Sequence, residues 1–236
     1  MSTIVWNMAL QGSEEWKAAR RGAITGSKAK LTRAFKKNGE PEAVLTAYAM
    51  DLARERLGGT VADVYVNAAM RTGTEQEPFA RLRYEADTGA FVDEVGFAHT
   101  VDGKFGCSVD GLVAPQGGIE VKTLVSSATL FKTLVDGDIS EYRDQCLFAM
   151  WLLSLDWVDV CLWCPDLDLL RVIRIERQEA EIEALEIALL FFDERVERYR
   201  AALAKFLPAP LTGDVAAYCR GDVERTRAMF KRMTFA

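Results

Sequence analysis

The stretch GCSVDGLVAPQGGIEVKT, from Gly106 to Thr123, constrains this chain more than any other part of it. It has the alternation and turn residues of a β-hairpin. Yet it carries Asp110, Glu120 and Lys122, where a core strand would place valine and a solvent face would not need that combination. Side chains alternate along a strand, so Glu120 and Lys122 point one way while Ile119, Val121 and Thr123 point the other. Asp110 ends the preceding strand, and LVAPQGG brings the two strands side by side. Two carboxylates and an ammonium then meet at one spot. Such charges are costly to bury unpaired, and neighbouring carboxylates shift each other's pKa. Oxygen ligation of a hard divalent cation, Mg²⁺ or Mn²⁺, resolves that conflict. The donor set suits metal-assisted hydrolysis of a phosphodiester, with the lysine beside the attacking water and the charge of the transition state. The same spacing also suits a surface hairpin with a Glu–Lys pair and a turn at Asp110-Gly111, and spacing alone leaves both open.

Charge is distributed unevenly. The chain of 236 residues has a net charge of −6, but the segment from Trp16 to Gly39 holds eight basic residues and no acid. A positive segment on an acidic body suits a phosphate-binding face, and equally a solvated basic helix. Half of the residues are hydrophobic, the composition of a globular protein with a sizeable core. No apolar run is long enough to span a bilayer, and MSTIVWNMALQGSEEW lacks the features of a signal peptide, so a cytoplasmic location without membrane attachment is expected. The five cysteines have no framework spacing. Cys161 and Cys164 form a C-x-x-C, but on a strand they face opposite ways, so buried free thiols are expected rather than a zinc site.

The periodicity predicts helices first, strands in the middle and helices again at the end. SEEWKAARRG, ITGSKAKLTRAFKKNG and EAVLTAYAMDLARERLGG read as helices, the second capped near Thr25 or Ser27. A longer helix covers roughly Ala68 to Asp87, its regular part beginning near Glu77 because of Pro78. Strands follow around Phe91–His99, Gly106–Val113 and Gly118–Leu124. After a short helix and a strong one capped by Ser140 come WVDVCLWC and LLRVIRIE, joined by a turn at Pro165–Asp168. A long helix and a last one near Gly213–Lys231 close the chain. The expected class is α/β (α+β), a central mixed sheet of about five strands flanked by helices. The tryptophans and phenylalanines, Trp16 included, are read mainly as core.

GCSVDGLV followed by IEVKT resembles the core of the PD-(D/E)XK, restriction-endonuclease-like nucleases. More narrowly, it is similar to the lambda-type phage exonucleases, or YqaJ-like viral recombinases. QGSEEWKAARRGAITGSK, GTEQEPFARLRYEADTG and YRDQCLFAMWL resemble that family's other motifs in the same order, from Gln11 to the 190s. The resemblance implies metal ligation by Asp110, Glu120 and the Val121 carbonyl, with Glu77 reaching the metal through water. It implies catalytic roles for Asp110, Glu120, Lys122, Glu77 and Gln145 and a supporting one for Tyr142. Arg20, Thr25, Ser27 and Ser108 match a pocket for the 5′-terminal phosphate. The family often has Pro where Val109 stands, and valine leaves the neighbouring side-chain positions intact.

What the resemblance implies is a single nuclease domain over 1–236, with a basic helical segment at about 11–60, a catalytic core at about 68–176 and C-terminal helices at about 178–231. The implied activity is Mg²⁺-dependent 5′-to-3′ digestion of one strand of linear double-stranded DNA to mononucleotides, with Mn²⁺ as a substitute. It would leave a 3′ single-stranded tail for recombination by strand annealing. A homotrimeric ring threaded by DNA, a single-strand annealing protein as partner and a phage or prophage origin are implied with it. A non-catalytic DNA-end binder and an endonuclease on the same core are the alternatives.

Overall fold

The computed structural model describes residues 3–61 and 68–207. The expected helix near Gly213–Lys231 and Cys219 lie outside them. The chain divides into two units, Met1–Arg200 and Ala201–Ala236, and the first carries everything below except the last turn of the closing helix.

The elements run β1 (Ile4–Asn7), α1 (Glu14–Arg20), β2 (Ile24–Thr25), a 3₁₀ segment (Gly26–Arg33), α2 (Ala43–Arg56) and α3 (Ala68–Thr88). Then follow β3 (Phe97–Thr100), β4 (Phe105–Cys107), β5 (Gly111–Val113), β6 (Gly117–Thr123) and α4 (Ser127–Leu130), the last continuing into a π turn at Phe131–Val135. The chain closes with α5 (Ser140–Leu153), β7 (Trp157–Cys164), β8 (Leu169–Glu176) and α6 (Glu179–Ala204). The class is mixed α/β, as expected, but the described strands form two sheets of four, ordered β1-β3-β4-β2 and β5-β6-β7-β8. The run Gly106–Val113 is two strands. β4 pairs with β3 and β2, β5 pairs with β6, and Asp110 sits where the chain passes from one sheet to the other.

Within the second sheet, β6 and β7 are parallel, linked by a crossover through α4 and α5, while β5 and β8 pair antiparallel at the edges. β7 is buried from Val158 to Cys164, as a central strand covered on both faces must be. Val158, Val160 and Leu162 join the main core with α5 and α6, whereas Cys161 and Ile119 pack with Tyr84 of α3. Glu120 and Lys122 therefore face α5, and Ile119 and Val121 face the α3 side. On the latter side the Tyr84 hydroxyl donates to Asp159 Oδ2 at 2.8 Å, and Arg174 donates to both oxygens of the same carboxylate. Trp163 Nε1 donates to Gln76 Oε1 at 3.2 Å, a second tie between α3 and the sheet.

Local departures have local reasons. α3 runs unbroken through Pro78 rather than starting near Glu77, because Pro78 lies on the exposed side, where water can satisfy the carbonyl that loses its partner. ITGSKAKLTRAFKKNG is a short strand and a 3₁₀ segment, not an α-helix, since Ile24 and Thr25 pair with Phe105 and Gly106. Neither Thr25 nor Ser140 caps a helix with its side chain; Asp138 Oδ1 instead accepts from both the Ser140 N–H and its hydroxyl. β1, unread in the sequence, pairs antiparallel with β3. Ser13 does cap α1, its Oγ accepting from the Trp16 N–H at 3.2 Å.

The turn after α1 is clasped by α2. Gly22 donates its N–H to Glu55 Oε2 and accepts from Arg56 Nε, each at 2.9 Å, and Arg56 in turn pairs with Asp193 and Glu197 of α6. Gly22 has φ +73°, and a Cβ there would come within 2.8 Å of Arg56 Cγ. Gly22→Ala should therefore lower stability by about 1–3 kcal/mol, read as a shift of the denaturant midpoint at unchanged slope.

Candidate active site

The charged hairpin closes on α5. Glu120 is 5% exposed, and its Oε1 accepts from Gln145 Nε2 at 2.6 Å and lies 2.7 Å from Lys122 Nζ. Lys122 Nζ also donates to Gln145 Oε1 at 3.1 Å. The Gln145 amide thus has its nitrogen on the carboxylate and its oxygen on the ammonium, an orientation both partners enforce. Tyr142, three residues earlier on α5, puts its ring 5.2 Å from the same Nζ. Asp110 Oδ2 accepts from the Val121 N–H at 2.7 Å, so the acid between the two sheets is tied to the strand that carries the other two charges. Glu77, on α3, accepts through Oε1 from Arg81 Nη2 at 2.8 Å.

The electrostatics are strained by design of the sequence. Burial first, then the charges of Glu120 and Glu77, push the Asp110 carboxyl well above its ordinary value. Burial likewise raises Glu77, Arg81 draws it back, and Glu120 adds to the rise. Burial works against the Lys122 ammonium, but Glu120 and then Asp110 outweigh it and leave the pKa above that of an ordinary lysine. Lys122 is a charged donor here, not a base. Among the described residues no three His, Cys, Asp or Glu side chains are set to hold a metal by themselves. The set expected from the sequence is of another kind, two carboxylates with the Val121 carbonyl and Glu77 through water. It fits a hard cation chemically. Every donor is oxygen, and Asp110 Oδ1 and Glu120 Oε2 accept no hydrogen bond from the described residues.

Beside this cluster lies a small pocket whose wall includes Arg20, Ser27 and Ser108 and, from the charged site, Glu120 and Gln145. Three of the four residues expected there line it. Thr25 does not; it is buried, its N–H donating to the Tyr48 hydroxyl at 3.2 Å. Trp16, expected mainly in the core, is half-buried at the pocket's side, its indole N–H on Ser108 Oγ at 3.3 Å and its ring 4.2 Å from the Arg20 guanidinium carbon. Val109 is buried and also lines the pocket. Four cysteines, Cys107, Cys146, Cys161 and Cys164, are free and buried.

Arg81 was missed from the sequence. It is 8% exposed, and besides Glu77 it pairs with Glu94 Oε1 at 2.6 Å. The signal was available, because an acid and an arginine four apart on a helix share a face. Of the eight basic residues between Trp16 and Gly39, Lys17, Arg33 and Lys36 have acid partners at Glu14, Asp144 and Glu40, while Lys28, Lys30 and Lys37 are exposed.

A carboxylate and an ammonium on β6, Asp110 at the junction of the two sheets and a small pocket walled by Arg20 thus lie together, and solved structures of nucleases share the fold. An alkaline exonuclease from Laribacter hongkongensis, LHK-Exo, is 35% identical and superposes with a TM-score of 0.72 over 82% of this chain and 97% of its own. The same enzyme in complex with dAMP superposes equally well. A phage-related exonuclease from Haemophilus somnus 129PT shares the fold at 13% identity, with a TM-score of 0.59 over 78% of this chain and 95% of its own. The fold and the shared sequence define a nuclease of the phage type. The chain belongs to the YqaJ-like viral recombinase family, whose domain profile matches residues 15–154. Among curated proteins none matches it. No helix of the described residues is long and apolar enough to cross a membrane.

A carboxyl whose folded pKa is raised binds more protons in the native than in the unfolded state between the two pKa values, so it costs stability that returns as pH falls through that window. In metal-free protein Asp110→Asn should therefore raise stability at neutral pH by roughly 1–2 kcal/mol. The gap to the unmutated chain should close as pH is lowered towards the ordinary carboxylate range, as denaturant melts at a series of pH values would read.

Proposed function

We propose that this chain is a Mg²⁺-dependent exonuclease that degrades one strand of linear double-stranded DNA from its 5′ end. The observation that carries the reading is the shared wall. The pocket formed by Arg20, Ser27 and Ser108 is bounded by Glu120 and Gln145 of the charged cluster. A terminal phosphate held in that pocket would bring the next phosphodiester toward Lys122 and Asp110, and a subsite for the end itself favours release of single nucleotides. That the Laribacter relative was solved with dAMP, a nucleoside monophosphate, supports a mononucleotide product.

A divalent cation held by Asp110, Glu120 and the Val121 carbonyl, with Glu77 through water, would supply charge against the phosphoryl oxygens and lower the pKa of a water. The chain's own residues do the rest. Glu120 and Gln145 fix the Lys122 ammonium by two contacts, so its charge stands ready where negative charge grows in the transition state. Tyr142 closes the far side of that ammonium. Arg20 and the hydroxyls of Ser27 and Ser108 bind the terminal phosphate, the guanidinium giving charge and the hydroxyls direction. The family resemblance extends the reading to a 3′ single-stranded tail for strand annealing, a homotrimeric ring around the duplex, an annealing-protein partner, use of Mn²⁺, and work in the cytoplasm of a phage-bearing host.

The test is digestion of linear duplex labelled at either end, 5′-phosphorylated or not, with Mg²⁺ or EDTA, beside a closed circle. Mononucleotides released from the 5′ end only with metal, and an intact circle, are expected. Nicking of the circle would favour an endonuclease, and end binding without cleavage under any metal a non-catalytic end binder. Lys122→Ala should lower the cleavage rate by about a hundredfold or more with binding to ends retained in a filter or mobility assay. Arg20→Ala should slow digestion of 5′-phosphorylated duplex by roughly tenfold or more and affect 5′-hydroxyl ends less. An unchanged phosphate preference would remove Arg20 from the pocket.

A further inference from the structure

Trp16 touches two of the three residues proposed to bind the phosphate, Arg20 and Ser108, from different parts of its ring. Its N–H donates to Ser108 Oγ at 3.3 Å across 92 residues of sequence. An indole nitrogen can only donate, so the serine oxygen accepts and its own hydroxyl proton is left for another acceptor. The indole face carries the Arg20 guanidinium at 4.2 Å, and the Phe97 ring lies 5.2 Å from it. The Arg20 side chain makes no hydrogen bond or ion pair with the other described residues, so its charge is held by rings and its guanidinium N–H donors remain unused. A carboxylate partner would have neutralised it. Aromatic faces hold a guanidinium in place while leaving its edge free. Trp16 is itself fixed, since Ser13 caps its backbone N–H.

We propose that Trp16 is the specificity-determining positioning residue of the pocket: it aligns the Arg20 edge and turns the Ser108 hydroxyl outward as a donor, so that a phosphate monoester at the DNA end meets a prepared set of donors. This rests on the reading of the pocket as a 5′-phosphate subsite. Preorganised donors bind without the cost of ordering them at each encounter. The indole therefore acts on the end group through Arg20 and Ser108, and Trp16 need not touch DNA.

The measurement is the ratio of kcat/KM on 5′-phosphorylated to 5′-hydroxyl duplex, taken within each protein, so that loss of folded enzyme cancels. Trp16→Leu, which removes ring and N–H, should lower that ratio by roughly tenfold. Trp16→Phe keeps a ring face and loses the N–H, and should lower it by about threefold. Adding Ser108→Ala to Trp16→Phe should cost little more, and Trp16→Leu with Arg20→Ala should fall well short of the product of the single effects. An unchanged ratio in Trp16→Leu, or full multiplicativity with Arg20→Ala, overturns the proposal while leaving the pocket standing. A ratio of one in the unmutated protein overturns the pocket itself, and the role of Trp16 with it.

Discussion

One strand, β6, has to satisfy two opposed demands, and the rest of the molecule is arranged around it. Its Ile119 side is buried against α3, while its Glu120 side crowds a carboxylate and an ammonium against α5. Neither charge would be tolerable alone. Gln145 makes the pair possible, because a single amide donates to the acid and accepts from the base. Asp110 is drawn into the same neighbourhood by the Val121 N–H, and burial first, then repulsion among the acids, raises its carboxyl pKa. The site is thus held in an unfavourable charge state by a well-packed sheet, which is how active sites commonly differ from the cores that carry them.

α5 is a wall common to the charged cluster and the pocket beside it. Its buried residues Phe148 and Ala149 lie in the core that includes β4 and the second sheet, and Gly26 approaches Phe148 so closely that a Cβ there would sit 3.3 Å from the ring. That close approach brings Ser27 and Arg20 to the same side of the helix as Gln145. The pocket and the charged cluster are therefore neighbours through a helix that carries Gln145 and Ala149 into the pocket wall. A second clasp, Glu55 and Arg56 on Gly22, holds the turn between Arg20 and Ser27 from behind.

α3 contributes from outside the sheet. Tyr84, Arg81 and Glu77 follow one another at spacings of three and four and so share a face. Tyr84 anchors the helix to Asp159, and Arg81, pinned between Glu77 and Glu94, sets where the third carboxylate stands. The exposed Pro78 one position beyond Glu77 leaves this face intact, so the helix tolerates it.

The sequence by itself determined what repeats over a few residues. The period of two along IEVKT assigned Glu120 and Lys122 to one face, WVDVCLWC and LLRVIRIE matched β7 and β8 to the residue, and the three-residue step from Tyr142 to Gln145 put both on the side of α5 that meets Lys122. Such patterns are legible because backbone geometry encodes them locally. Only the tertiary structure decided the rest. It split Gly106–Val113 into two strands at Asp110, buried Thr25 away from the pocket wall, moved Trp16 from core to pocket side, and paired Arg81 with Glu94. Those outcomes depend on which elements come within a few ångströms of one another. That is set by the packing of α5 and α3 on two sheets, a sum of many weak non-local contacts that no local pattern carries.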